Sequence, residues 1–201
     1  MKYDDDGERL KDLKLIYSRI VPAAMLFDDD GISLRFMKWV PQDPPRDPSG
    51  RRNGVIYSDM IDGVRSEQLM DQIIGATPFQ GLTPLGRGLR EHVLEPLVLK
   101  PARNGQLQKP ILIIAITDGQ PLGEPKNSVH EAILYASSEL SRTRYGQGAV
   151  SFQFAQVGTD VDAAKFLAGL DADPQIGGLV DCTSGTTTVS IPQSYSLHYL
   201  I

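Results

Sequence analysis

Seven consecutive uncharged residues, Ile111-Leu-Ile-Ile-Ala-Ile-Thr117, run directly into Asp118-Gly119-Gln120-Pro121. A short β-branched run bounded by turn residues reads as a strand buried on both faces, the kind found inside a parallel sheet. Open α/β sheets bind ligands in the crevice beyond the carboxyl ends of such strands. A hydroxyl and a carboxylate stand at that end here, on a turn that Gly119 lets close tightly. Asp and Gly also dominate ordinary turns, so Asp118 reads either as a site residue or as a cap of the turn that follows.

Around this strand the pattern alternates between helix and strand. Leu10, Leu13, Tyr17, Ile20, Ala24 and Phe27 recur at helical steps, with Pro22 expected to kink or split the helix. Ile32, Leu34 and Phe36 alternate as a strand ending near Met37, and the proline-rich stretch 41–50 reads as a loop. Val55–Tyr57 reads as a short edge strand, and Ser58 or Asp59 as the cap of a helix running through Ile74. Gly81-Leu-Thr-Pro-Leu-Gly-Arg-Gly88 opens a helix to about Leu99 that bends at Pro96. Then come a helix over 127–142, a strand over 149–157, a helix over 160–170 and a short strand over 179–182. Residues 186–201 show no period and stay unplaced. Strands alternating with helices of this length predict one Rossmann-like, doubly wound α/β domain spanning 1–201, its mostly parallel sheet flanked by helices.

Composition excludes several classes. A net charge of −5 and the lack of a basic run interleaved with aromatics argue against a nucleic-acid surface. No run approaches the ~20 apolar residues of a membrane span. The single cysteine, Cys182, allows no internal disulfide and fits a reducing, cytoplasmic setting. Its expected role is that of a small strand-end residue, not a nucleophile. His92, His130 and His198 have no metal-ligand spacing, and Gly81–Gly88 lacks the Gly-Lys-Ser/Thr end of a phosphate loop. Its glycines suit close helix packing instead. Arg51-Arg52 reads as a solvated loop pair.

Thr83 precedes Pro84, which favours the first helical position, so Thr83 is either the helix N-cap or a second hydroxyl facing the crevice of Asp118. Two hard oxygen donors of this kind suit Mg²⁺.

Four segments together resemble the von Willebrand factor A domains, most closely the fungal intracellular-type members. They are Leu26-Phe-Asp-Asp-Asp-Gly-Ile-Ser-Leu-Arg-Phe-Met37, Gly81-Leu-Thr-Pro-Leu-Gly86, Pro110-Ile-Leu-Ile-Ile-Ala-Ile-Thr-Asp-Gly-Gln-Pro121 and Phe152-Gln-Phe-Ala-Gln-Val-Gly158. The resemblance covers roughly residues 8–184. It implies a Rossmann-like fold and a metal-ion-dependent adhesion site in which Thr83 and Asp118 hold matching positions, with Gly81, Gly119 and Gln120 around the bound ligand. It also implies a protein partner, engaged through a carboxylate, and no catalysis.

The family's Asp-x-Ser-x-Ser motif, carried by a central strand ahead of the first helix, has no counterpart here. Asp29-Asp-Gly-Ile-Ser33 has only part of it and precedes a strand instead of following one. The resemblance therefore implies a domain incomplete at its N-terminus, with Mg²⁺ weakly bound or absent. Its sheet would keep a slot that self-association or the chain's own tail, 186–201, would fill.

One rival comes from another class. Ala24-Met-Leu-Phe-Asp28-Asp-Asp30-Gly looks like the nucleophile motif of haloacid-dehalogenase-type Mg²⁺-dependent phosphatases. Asp28 would attack phosphorus and Asp30 would act as general acid/base. Thr117 would supply the second hydroxyl, and Asp160 and Asp162 the acidic metal motif.

Overall fold

A computed structural model describes residues 7–26, 30–37, 51–52, 55–56, 60–77, 79, 82–184 and 196–200. Its elements, in chain order, begin with α1 (Glu8–Ala24), β1 (Ile32–Arg35), β2 (Arg51–Arg52), β3 (Val55–Ile56), β4 (Met60–Val64) and α2 (Glu67–Ala76). A continuous helical rod follows, made of α3 (Leu85–Gly88), a π-helical segment (Leu89–Leu99) and α4 (Lys100–Arg103). The remainder is β5 (Ile111–Thr117), α5 (Ser128–Ser141), β6 (Val150–Gln156), α6 (Val161–Asp171), β7 (Val180–Ser184) and β8 (Ser196–Leu200).

The main sheet has six strands in the order β4-β1-β8-β5-β6-β7. β1, β8, β5, β6 and β7 are parallel, and only β4, on the edge, runs antiparallel. β5 lies inside this sheet and all seven of its residues are buried. Ile111, Ile113 and Ala115 pack beneath the π segment and α5, while Leu112, Ile114 and Ile116 pack beneath α1 and α2. The alternation of side chains along a strand splits one apolar run between two cores. The expected α/β sheet with helices on both faces is what forms.

The tail supplies the strand that the sequence pattern left unplaced. β8 lies between β1 and β5, with Ser33 opposite His198 on one side and Ile113 opposite His198 on the other. The expectation that the chain's own tail enters the sheet is met by 196–200.

Several local readings need correction. The helix expected from Ser58 or Asp59, both outside the described residues, gives way to β4 over Met60–Val64, and Ser66 caps α2 by accepting the Leu69 N–H at 3.2 Å. Gly63, at φ +70°, explains why a helix cannot run through this stretch: the β1–β4 register shifts there in a bulge that left-handed backbone permits. β3 pairs with β2 in a separate two-stranded sheet and is not an edge of the main one. Pro22 sits in the last turn of α1, which stops at Ala24 without splitting. The helical run continues through Pro96 and past the expected end near Leu99, to Arg103. A proline ring clashes with the carbonyl four residues back, and π-helical turns move that carbonyl away. The 41–50 loop lies outside the described residues.

Away from the sheet, side-chain ties fasten the helices to one another. Arg103 links α4, the π segment and α5: its Nε and Nη2 donate to Glu139 Oε2 at 3.0 and 2.7 Å and its Nη1 to Glu95 Oε2 at 2.9 Å. Burial raises the Glu95 carboxyl, but hydrogen bonds from Arg103 and Tyr135 outweigh it and hold the group below the ordinary carboxylate range. On the opposite face the Tyr17 hydroxyl donates to Asp71, joining α1 to α2. Burial first, and the Asp71 hydrogen bond second, push that phenol above its usual value.

Candidate functional site

Because five strands run parallel, their carboxyl ends share one edge, and the turn after β5 stands near its middle. Thr117 is fully buried, and its hydroxyl donates to the Gly119 carbonyl at 2.8 Å while accepting the Gly119 N–H at 3.3 Å. That local ring of hydrogen bonds closes the turn and leaves Asp118, Gly119 and Gln120 half-buried beyond it.

Asp118 is held from across the molecule. Arg9 Nη1, in the first turn of α1, donates to Asp118 Oδ2 at 3.1 Å, with each side chain about one-fifth exposed at 20%. One turn on, Asp12 Oδ2 accepts the Gly158 N–H at 3.0 Å, just after β6. The amino end of α1 thus clips the turns after β5 and β6 together. Charge-assisted hydrogen bonds of this kind are the stronger ones, and partial burial limits their screening.

Thr83 sits on the neighbouring loop, and the structure corrects its role as a cap. The capping position of α3 is Pro84, and the Thr83 side chain makes no capping hydrogen bond. Glu124 fills that role from the loop after β5, its Oε1 accepting the Gly86 N–H at 2.7 Å and its Oε2 the Arg87 N–H at 3.0 Å. A full negative charge at the positive end of a helix is a better acceptor than a hydroxyl. The Thr83 carbonyl accepts the Leu122 N–H at 2.9 Å, so the Thr83 loop and the loop after Asp118 are bonded to each other. Gly86 lets the two helices close in, since a Cβ there would come within 2.5 Å of the Ser128 carbonyl carbon. Gly81 lies outside the described residues.

Mg²⁺ fits this edge poorly. Thr83 and Asp118 give two protein oxygens, and one carboxylate oxygen already carries the Arg9 guanidinium. A cation that demands octahedral oxygen geometry and releases water reluctantly needs more than that. Among the described residues, no three His, Cys, Asp or Glu side chains gather in a metal-holding group.

The phosphatase set is not brought together. Registers through β8 put Ser33 level with Ile113, so Asp30 lies three residues before that level and Thr117 four beyond it. At ~3.3 Å per residue the two are roughly 23 Å apart along the strands, on opposite edges of the sheet. Of Asp29-Asp30-Gly31-Ile32-Ser33, Asp30 and Gly31 precede β1 on that opposite edge, Ile32 and Ser33 open β1, and Asp29 lies outside the described residues. Asp160 is committed as the N-cap of α6, its Oδ1 accepting the Ala163 N–H at 2.7 Å, and Asp162 faces Lys165 on the exposed side at 3.5 Å. Asp28 lies outside the described residues; ahead of it α1 ends at Ala24, and Met25 and Leu26 form a turn, not a strand.

The three histidines stay apart: His92 in the π segment, His130 in α5 with Nε2 3.4 Å from Asp173 Oδ2, and His198 in β8. Burial, followed by the charges of Asp171 and Asp181, pushes the Cys182 thiol up to about 12, the opposite of what a nucleophile needs. Arg9, Asp12 and Glu124 went unnoticed in the sequence. Each acts on a partner far along the chain, and no local motif announces such pairs.

No family model, no curated protein and no solved structure matches this chain. No helix among the described residues is long and apolar enough to cross a membrane.

Proposed function

We propose that this chain is a non-catalytic protein-binding module of the von Willebrand factor A type, of the fungal intracellular kind. Its partner meets the carboxyl edge around Gly81, Thr83, Asp118, Gly119 and Gln120. The observation that carries this reading is the bonding of the Thr83 loop to the loop after Asp118 at the carboxyl end of β5. That is the edge where α/β sheets present their ligand-contacting loops. The scattered phosphatase residues favour binding over catalysis. The edge is a partial adhesion site that works without a tightly held cation, since its donor set is small and Arg9 already neutralises Asp118. An acidic partner group remains the family's implied ligand, and a cytoplasmic location belongs to the same reading, supported by the single cysteine.

Paired affinity capture tests it. Wild type, Asp118→Asn and Thr83→Ala, each checked for native circular dichroism, are used on one lysate, with Lys165→Ala as a remote control. A partner held by the edge should fall about fivefold or more for both edge variants, the loss of a contact of about 1 kcal/mol or more. It should be unchanged for the control. Equal capture by all four chains would refute the assignment of this edge.

A further inference from the structure

We propose that β8 is exchanged between two copies of this chain, each copy's β8 filling the slot between β1 and β5 of the other. This goes beyond the binding reading above and rests on backbone geometry alone.

Ser184, at the end of β7, lies level with Gln156, while Ser196, at the start of β8, lies level with Ile111 and so with Val150. The six-residue offset along the strands is roughly 20 Å, and three strand spacings separate β7 from β8, roughly 14 Å more across the sheet. The straight line between the two ends is therefore about 25 Å, and it passes through β6 and β5. Eleven residues, 185–195, join them in twelve steps from Ser184 to Ser196, with a contour of at most ~43 Å.

Parallel strands need a connection of a dozen or more residues even when they are direct neighbours. Here about 18 Å of slack remains to rise over a face of the sheet and descend again. That is less than two of the ~10 Å spacings between packed layers. Short connections of this kind favour exchange of the segment they carry. A β8 supplied by a second copy keeps every pairing seen here, Ser33–Arg35 on one side and Ile111–Ala115 on the other, without that constraint. Without β8, β1 and β5 would face each other across unpaired backbone groups, a template for a strand from another chain.

The test alters the connection and reads molecular mass by light scattering on the full chain, over a range of concentrations. Deleting five of the residues 185–195 leaves ~25 Å of contour at most, no more than a straight path through the sheet, so β8 cannot reach its own slot. The account expects this variant to be folded and of doubled mass at every concentration. Inserting a long Gly/Ser stretch should return the chain to monomer, and wild type should shift towards the dimer as concentration rises. Mixing isotope-labelled with unlabelled wild type should give intermolecular Overhauser contacts between 196–200 and 32–35. A shortened chain that is monomeric or unfolded would overturn the proposal. So would a lengthened chain that stays dimeric, or mixed samples without contacts between copies.

Discussion

β5 and β8 are neighbours in the same sheet and reach that place by different physics. β5 buries all seven of its residues and divides the six from Ile111 to Ile116 between two cores, so its position is set by what it buries. β8 is Ser-Leu-His-Tyr-Leu, with only Leu197 and Tyr199 alternating on one face, too short a pattern to announce a strand, yet it pairs on both sides, with β1 and with β5. Its position is set by two strand edges that would otherwise face each other with unpaired amides and carbonyls, each of which costs about 1–3 kcal/mol when buried. One central strand is chosen by side chains, the other by a vacancy.

Alanine and proline separate the two cases most sharply. Ile114 is fully buried, and Ile114→Ala should cost about 3–4 kcal/mol, lowering the melting temperature by roughly 10 °C in a domain of this size. In β8, His198→Pro should cost about 3 kcal/mol because it removes a ladder donor from a strand paired on both sides, whereas His198→Ala should cost under about 1 kcal/mol. Thermal unfolding of the three variants checks the ranking. An alanine penalty in β8 as large as that in β5 would erase the distinction.

What was legible in the sequence followed the same division. The β5 run declared itself, and α5 and α6 fell within a residue or so of their expected ends, α6 because Asp160 caps it locally. β4 was misread because the apolar spacing from 60 to 74 suits a helix until Gly63 is seen as a bulge and Ser66 as the cap. β8 was illegible because its partners, not its own periodicity, determine its place. At the candidate site the turn at Asp118 could be read from Thr-Asp-Gly. The residues that fix it could not, since Arg9 bonds across 109 positions and Asp12 across 146. The cap on α3 shows the same limit: Thr83-Pro84 is a sound local signal, and Glu124 takes the cap from 38 positions away.

That remote cap gives a smaller effect. Glu124→Ala strips acceptors from the Gly86 and Arg87 N–H groups and should cost about 1–2 kcal/mol, while Thr83→Ala should cost less, since the Thr83 side chain makes no capping bond. Urea unfolding of both variants decides it. A larger penalty for Thr83→Ala would restore the threonine as the cap and weaken its reading as a crevice residue.

Hydrogen–deuterium exchange of the wild-type chain tests the placement of β8 most directly, because it reads backbone pairing whatever the side chains do. The account predicts that the amides of 196–200 are protected on the same timescale as those of Ile111–Thr117, hours and not seconds, in monomer and exchanged dimer alike. Exchange of 196–200 at the rate of an unstructured peptide, with 111–117 still protected, would contradict it.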